Sequence, residues 1–197
     1  MKVTILEEHG HENALLGLSL SFYDHAQPLQ TWWDDTKKLK ADKRADLLSH
    51  KQGGHNKYLE AITVTLYIQA ARSFWSEFDT YRVGMTKQSS STMHTLDKRP
   101  ATVEDFEEGT SQFMIYGFNQ CLDNYRNPEH KHYKDVTILK NNLPEGWLQE
   151  RVVVTNYKTL QNIYFQRHDH RLKYWKQFCK DILEQSQYPQ YIKLSGV

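Results

Sequence analysis

Two stretches of the chain carry side chains of the kind that hold anions and planar heterocycles. In the first, His55 is followed by a strand, then by Glu77 and Arg82, and then by Lys87, Gln88, Ser89, Ser90, Ser91 and Thr92 in a loop. Hydroxyls, an amide and backbone N–H groups beside a cation can cradle a phosphate without help from the charge of the whole protein. In the second, Asn156, Lys158, Asn162 and Arg167 are polar positions among Tyr157, Leu160, Ile163 and Tyr164. Amide donors and acceptors with a cation suit the hydrogen-bonding edge of a heterocycle and any negative charge that develops on it. Each stretch has a plainer reading: a solvated Ser/Thr loop with Arg82 in a surface ion pair, and the wet side of an amphipathic helix.

The elements that must position these residues follow from periodicity. Residues 2–6 read as a short strand and 12–22 as a helix. Residues 34–50 are charged and Lys-rich and read as a solvated helix closed by a turn at Gly53-Gly54. Ile62 to Ile68 is β-branched and aromatic, a buried strand. Ala70, Phe74, Trp75 and Phe78 then predict a helix over 70–82 that ends at Gly84. Residues 85–99 form a long polar loop, and Thr102 opens a long helix through Phe106, Phe113, Gly117, Cys121 and Tyr125, stopped before Pro128. A second strand–helix unit covers 151–155 and 157–166, in which Lys158 and Asn162 share one face away from the apolar stripe. A last helix over 172–184 buries Leu172, Trp175, Cys179 and Ile182. The predicted architecture is α+β, an antiparallel or mixed sheet with long helices, in one domain over residues 1–197.

Composition removes several function classes. Lys and Arg total 25 against 24 Asp and Glu, a formal charge of +1, so no polymeric nucleic acid and no anionic membrane surface is expected as a partner. No apolar run reaches the roughly 20 residues of a membrane span, and the acidic Glu7-Glu8 interrupts anything like a secretory leader. Cys121 and Cys179 lie outside any C-x-x-C pattern and read as core residues of a reduced, cytoplasmic protein. The pairs His130/His132 and His168/His170 have i, i+2 spacing with no matching further ligands, so no metal is expected.

Arg82 and Ser90, eight positions apart, resemble the end of the R-H-R-x7-S signature of flavin-dependent thymidylate synthases. Extended without gaps, His55 falls on that family's active-site histidine. Leu143-Pro144, Asn156-Tyr157-Lys158, Leu160, Asn162 and Arg167-His168-Asp169 resemble the family's L-P, N-A-R, L-x-N and L-R-x-D pattern. The resemblance covers about half the chain, in the family's order. It implies a flavin-dependent thymidylate synthase-like fold that binds FAD and dUMP between subunits of a homotetramer, in nucleotide biosynthesis. NADPH and methylenetetrahydrofolate would be co-substrates, and the reaction would transfer a one-carbon unit to C5 of a pyrimidine nucleotide. By the same resemblance Arg167, Ser90 and His55 carry the chemistry: Arg167 at the N3 edge of the base, Ser90 at the nucleotide, and His55 on the flavin and folate side. His55, Tyr81, Arg82, Asn156, Lys158 and Asn162 would contact flavin. Glu77, Thr80, Gln88, Ser89, Ser90, Thr92, Lys140 and Arg167 fall where substrate would bind.

Departures cluster at those same positions. The signature's first Arg and its His are Thr80 and Tyr81 here; Glu77 stands for a glutamine and Gln88 for a glutamate. Thr92 replaces an arginine that would fork onto phosphate, and Lys158 and Lys140 replace two others with point charges. Each lost charged hydrogen bond is worth about 1.5–3 kcal/mol, and Lys87 and His94 are the nearby candidates to compensate. The residues are compatible with an enzyme of altered pyrimidine specificity, with a homologue that binds nucleotide or flavin without turnover as a sensor or inhibitor, and with an interaction protein on the same scaffold.

Overall fold

The structure is a computed structural model that describes residues 1–51, 53–130 and 134–193. His132, one of the histidines weighed above, lies outside the described residues. Four strands form one sheet in the order β1-β2-β4-β3: β1 Lys2–His9, β2 Thr63–Ala71, β3 Thr86–Ser89 and β4 Leu148–Asn156. Backbone bonds from Tyr157 to Ile62 and from Arg72 to Trp147 bracket β2 and β4, so these two strands run antiparallel. Val64, Leu66, Ile68 and Ala70 of β2 are completely buried while the residues between them are not, which is the period-two signature of a strand.

The chain divides into two compact units. One comprises residues 1–2, 68–81 and 88–152. It contains α4 (Arg72–Phe78), α5 (Gln112–Arg126) and α6 (Val136–Asn141). Its core is Leu96, Phe106, Ile115, Phe118, Leu122, Leu139 and Leu143, with Trp147 packed edge-on against Phe106. The other comprises residues 3–67, 82–87 and 153–197. It contains α1 (His11–Ser19), the single turn α2 (Leu29–Trp32), α3 (Asp35–Leu48), α7 (Tyr157–Arg167) and α8 (Lys173–Gln185). There α1 packs on α3, and α7 packs on α8 and on the 3-10 turn Lys57–Ala61. Trp175, Phe178, Cys179 and Ile182 form the buried stripe of α8.

Most predicted elements are present, and three differences have identifiable causes. The helix read from residue 70 starts at Arg72, because Ala70 and Ala71 are still extended and close the buried face of β2. The loop 85–99 contains β3 and a 3-10 turn, Thr92–His94; the strand is short and polar, and only backbone pairing marks it. Thr102 caps a 3-10 turn, Val103–Asp105, instead of a long helix. Phe106 bridges to Trp147, Gly109 takes φ +88°, and Ser111 caps α5 afresh at Gln112. The apolar spacing that includes Phe106 therefore spans two separate elements. No helix among the described residues is long and apolar enough to cross a membrane.

Candidate functional site

In the second unit three chain segments meet at the first turn of α7. Asn156 is the N-cap: its Oδ1 accepts from Thr159 N at 2.9 Å, satisfying a backbone donor that the helix leaves open. Thr159 Oγ1 donates to Val83 O at 3.2 Å, which ties the 82–87 segment, and with it Arg82, to this turn. Gly84 sits against the cap with φ +67°, and a Cβ there would meet Asn156 Nδ2 and Thr159 Oγ1 at 2.7 Å. Lys158 Nζ donates to Asn56 Oδ1 at 2.8 Å, so the third segment is the loop that carries His55. Lys158 is half-buried and Asn162 exposed; Gln166 Nε2 donates to Asn162 Oδ1 at 3.1 Å. Arg82 is exposed and makes no side-chain hydrogen bond or ion pair among the described residues.

The 53–61 loop is held by alternate residues. Gly53 and Gly54, at φ +75° and +87°, turn the chain out of α3 through a conformation that other residues rarely adopt. Asn56, Tyr58 and Leu59 then point inward, and His55 and Lys57 outward. Asn56 Nδ2 donates to Ser49 O and to Gln161 Oε1, and Gln161 Nε2 donates to Ser49 O at 2.8 Å and Tyr191 O at 2.7 Å. Tyr58 OH donates to Ala45 O at 2.8 Å, and burial pushes this phenol's pKa well above its ordinary value. The outward residues open on a cavity of 480 Å³, within the ~300–1,000 Å³ typical of small-ligand sites. Its lining includes His55, Lys57 and Arg44, with Leu18, Phe22 and Tyr58 among the apolar walls and no Asp or Glu.

Arg167 lies at the other end of α7, ten residues and about 15 Å along the axis from Tyr157. Its guanidinium stacks 4.7 Å from the centroid of Trp175, and Nη1 lies 3.1 Å from His170 Nε2. His168 Nδ1 lies 3.0 Å from Tyr164 O, so both histidines of the second pair have partners within the protein. No cluster of three metal-ligating side chains occurs among the described residues. Cys179 packs in the α8 stripe, where burial pushes its thiol up to about 12.

In the first unit, Thr80 Oγ1 donates to Glu77 O at 2.7 Å at the end of α4, and Tyr81 is buried with its ring 6.3 Å from that of Phe78. Gln88, Ser89 and Ser90 are exposed, Thr92 is half-buried, and Lys140 is exposed on α6. A polar chain joins the end of α4 to Ser90. Arg151 Nη1 donates to both carboxylate oxygens of Asp79, at 2.8 and 3.0 Å, and its Nη2 donates to Gln149 Oε1; Gln149 Nε2 in turn donates to Ser90 O at 3.0 Å. Ser90 N donates to Glu150 O at 2.9 Å, leaving its hydroxyl without a partner among the described residues.

The structure thus groups His55, Lys158, Asn156 and the Arg82 segment in one unit, and Glu77, Thr80, Tyr81 and Ser90 in the other. It does not bring Arg167 to the His55 cavity. Arg44, Lys57, Asn56, Gln161 and Arg151 were not singled out by sequence reasoning. Arg44 did carry a signal: neither i±3 nor i±4 on its helix holds a carboxylate, which is unusual company for an arginine in so charged a segment. Asn56 and Gln161 are ordinary polar letters whose burial only the tertiary structure reveals.

The fold is similar to that of thymidylate synthase X from Helicobacter pylori in a crystal structure with FAD and dUMP. The TM-score is 0.75 and the identity 16%, over 98% of this chain and 97% of that chain. A second crystal structure of the flavin-dependent thymidylate synthase of that organism, complexed with FAD and dUMP, gives a TM-score of 0.74 at 16% identity, with the same coverage. No protein-family model and no curated protein matches the sequence. At this identity the likeness establishes the architecture: an α+β chain with the fold of the flavin-dependent thymidylate synthases over nearly its whole length.

Proposed function

We propose that the protein binds FAD and a pyrimidine deoxynucleotide, dUMP or a close relative, and transfers a one-carbon unit to C5 of the pyrimidine. The observation that carries this reading is that the loop carrying His55 opens on a cationic, carboxylate-free cavity while its next residue, Asn56, is tied to Lys158 at the α7 turn that also holds Asn156 and the Arg82 segment, in a chain whose fold matches proteins crystallised with FAD and dUMP. An aromatic ring system that carries phosphate suits such a lining: apolar walls for the rings, unpaired cations for the anion. FAD would supply hydride chemistry, with NADPH and methylenetetrahydrofolate as co-substrates.

On this reading His55 and Lys57 face the flavin side. Asn156, Lys158, Asn162, Arg82 and Tyr81 would contact the cofactor. Ser90 offers its hydroxyl to the nucleotide, flanked by Gln88, Ser89 and Thr92, with Glu77, Thr80 and Lys140 at the remaining substrate positions. Arg167 stabilises negative charge at the N3 edge of the base. Cys179 is too buried and too basic to be a nucleophile, consistent with chemistry that needs no attacking thiol. The protein would act as a homotetramer in cytoplasmic nucleotide biosynthesis.

A second reading, binding without turnover, is favoured by specific features: Thr80 and Thr92 offer no charge to a phosphate, and Tyr81 is 9% exposed. An absorption scan of purified protein with and without FAD, followed by NADPH oxidation with and without dUMP, separates the alternatives. Flavin bands together with dUMP-dependent oxidation support the enzyme. Flavin bands without it support the binding protein, and absence of flavin binding rejects both.

A further inference from the structure

Arg44 and Lys57 are the Lys and Arg side chains that line the carboxylate-free cavity of the second unit, and nothing among the described residues neutralises either. Arg44 is half-buried with its guanidinium carbon 4.0 Å from the centroid of Phe22, and it makes no ion pair or hydrogen bond through its side chain among the described residues. Lys57 likewise has no side-chain partner there. Both line the 480 Å³ cavity with His55. On the same helix Lys37 pairs with Asp34 and Lys38 with Glu12. The acids nearest in sequence to Arg44 are also turned to other partners, Asp42 towards His11 and Asp46 towards Gln190. Stacking on Phe22 holds the guanidinium plane in place before any ligand arrives, which reduces the ordering cost of a forked contact.

We propose that Arg44 and Lys57 form an anion grip that takes the phosphate portion of a flavin nucleotide, and that this grip makes the protein select phosphorylated flavins over riboflavin. The inference rests on the flavin-binding reading above and adds residues that the motif positions do not include. It also accounts for where cationic contacts reside in a chain that has Thr80, Thr92 and Lys158 at positions of forked arginines: the charge is supplied from α3 and from the residue two places after His55.

The test is a titration of FAD, riboflavin and ADP into the full chain and into Arg44→Gln, Lys57→Gln and the double variant, read by flavin fluorescence and, for ADP, by calorimetry. Circular dichroism confirms that each variant is folded. The parent is expected to bind FAD at least tenfold more tightly than riboflavin. Each single variant should lose about tenfold or more in FAD affinity, in line with a charged hydrogen bond. The double variant should bind FAD no better than riboflavin, with riboflavin affinity unchanged. Unaltered FAD binding in the folded double variant overturns the grip while leaving flavin binding intact. If the parent binds ADP but no flavin, and the double variant loses ADP, the two cations hold phosphate but the flavin reading falls, and selection among flavins falls with it. If the parent binds none of these ligands, both fall.

Discussion

Replacing Gln161 with Met tests whether the buried amide network is what holds the His55 loop. The substitution keeps the length of the side chain and removes its polar atoms. Gln161 is 4% exposed, donates to Ser49 O and Tyr191 O, and accepts from Asn56 Nδ2. Ser49 O and Asn56 Nδ2 still have each other in the variant, whereas Tyr191 O loses its side-chain donor inside the protein. A net hydrogen bond is worth about 0.5–1.5 kcal/mol, and an orphaned buried carbonyl costs about 1–3 kcal/mol. Allowing for the thioether's favourable burial, Gln161→Met should cost about 2–4 kcal/mol. For a chain of this size that lowers the melting temperature by roughly 4–16 °C. Urea unfolding measures the loss, and hydrogen exchange of a peptide spanning residues 50–60 reports where it acts: that peptide should exchange faster than one from α5. A variant within about 0.5 kcal/mol of the parent, with unchanged exchange at 50–60, would refute the argument that this network fixes the loop.

Gly84→Ala should cost about 2–3 kcal/mol, because a non-glycine at φ +67° is strained and its Cβ displaces the Asn156 cap; Gly53→Ala, also at positive φ but with open space around it, should cost only about 1–2 kcal/mol. Equal losses in urea unfolding would show that the contact with Asn156 carries no energy. His11, stacked 3.8 Å from Tyr188, has its pKa lowered below the ordinary 6.5, first by burial and against the pull of Asp42 and Asp46. Its contribution to stability is therefore full above pH about 6.5 and is lost as pH falls toward the lower folded value. His11→Gln should flatten the fall in stability between about pH 7.5 and pH 5 relative to the parent, and parallel pH profiles would contradict this.

Strong local patterns were legible in the sequence. The β2 run, the α8 stripe and the α7 strand–helix junction are each decided by a few residues of one periodicity, and each lies within three residues of its predicted place. The reading failed where periodicity crossed a break. Phe106 fits the spacing of α5 but is recruited to Trp147, and the polar segment of β3 has no side-chain signature because its partner strand supplies the reason for it to be extended. At the site, motif spacing pointed to His55, Asn156 and Lys158, of which the structure ties Lys158 to Asn56, the residue after His55. It missed Asn56 and Gln161 because a buried amide is distinguishable from a solvated one only by what surrounds it. It treated Lys158 as facing away from the apolar stripe, whereas its ammonium reaches the buried Asn56.

Affinity and turnover place different demands on the cations of this chain. An anion is held by any well-placed positive charge of a cavity, so in binding terms the point charge of Lys57 and the fork of Arg44, held over Phe22, would offset the arginines that the resemblance expects elsewhere. Rate depends on reacting atoms aligned to within fractions of an ångström, and a flexible ammonium does not reproduce the orientation that a bidentate fork imposes. On the proposed reading Thr80 and Thr92 would therefore weigh more heavily on the nucleotide's placement than on the flavin's, since Arg44 and Lys57 line the His55 cavity and the exposed Ser90 hydroxyl has no cation hydrogen-bonded to it among the described residues. On the proposed reading, flavin affinity would be the more robust property and dUMP-dependent turnover the one that Thr80 and Thr92 put under strain.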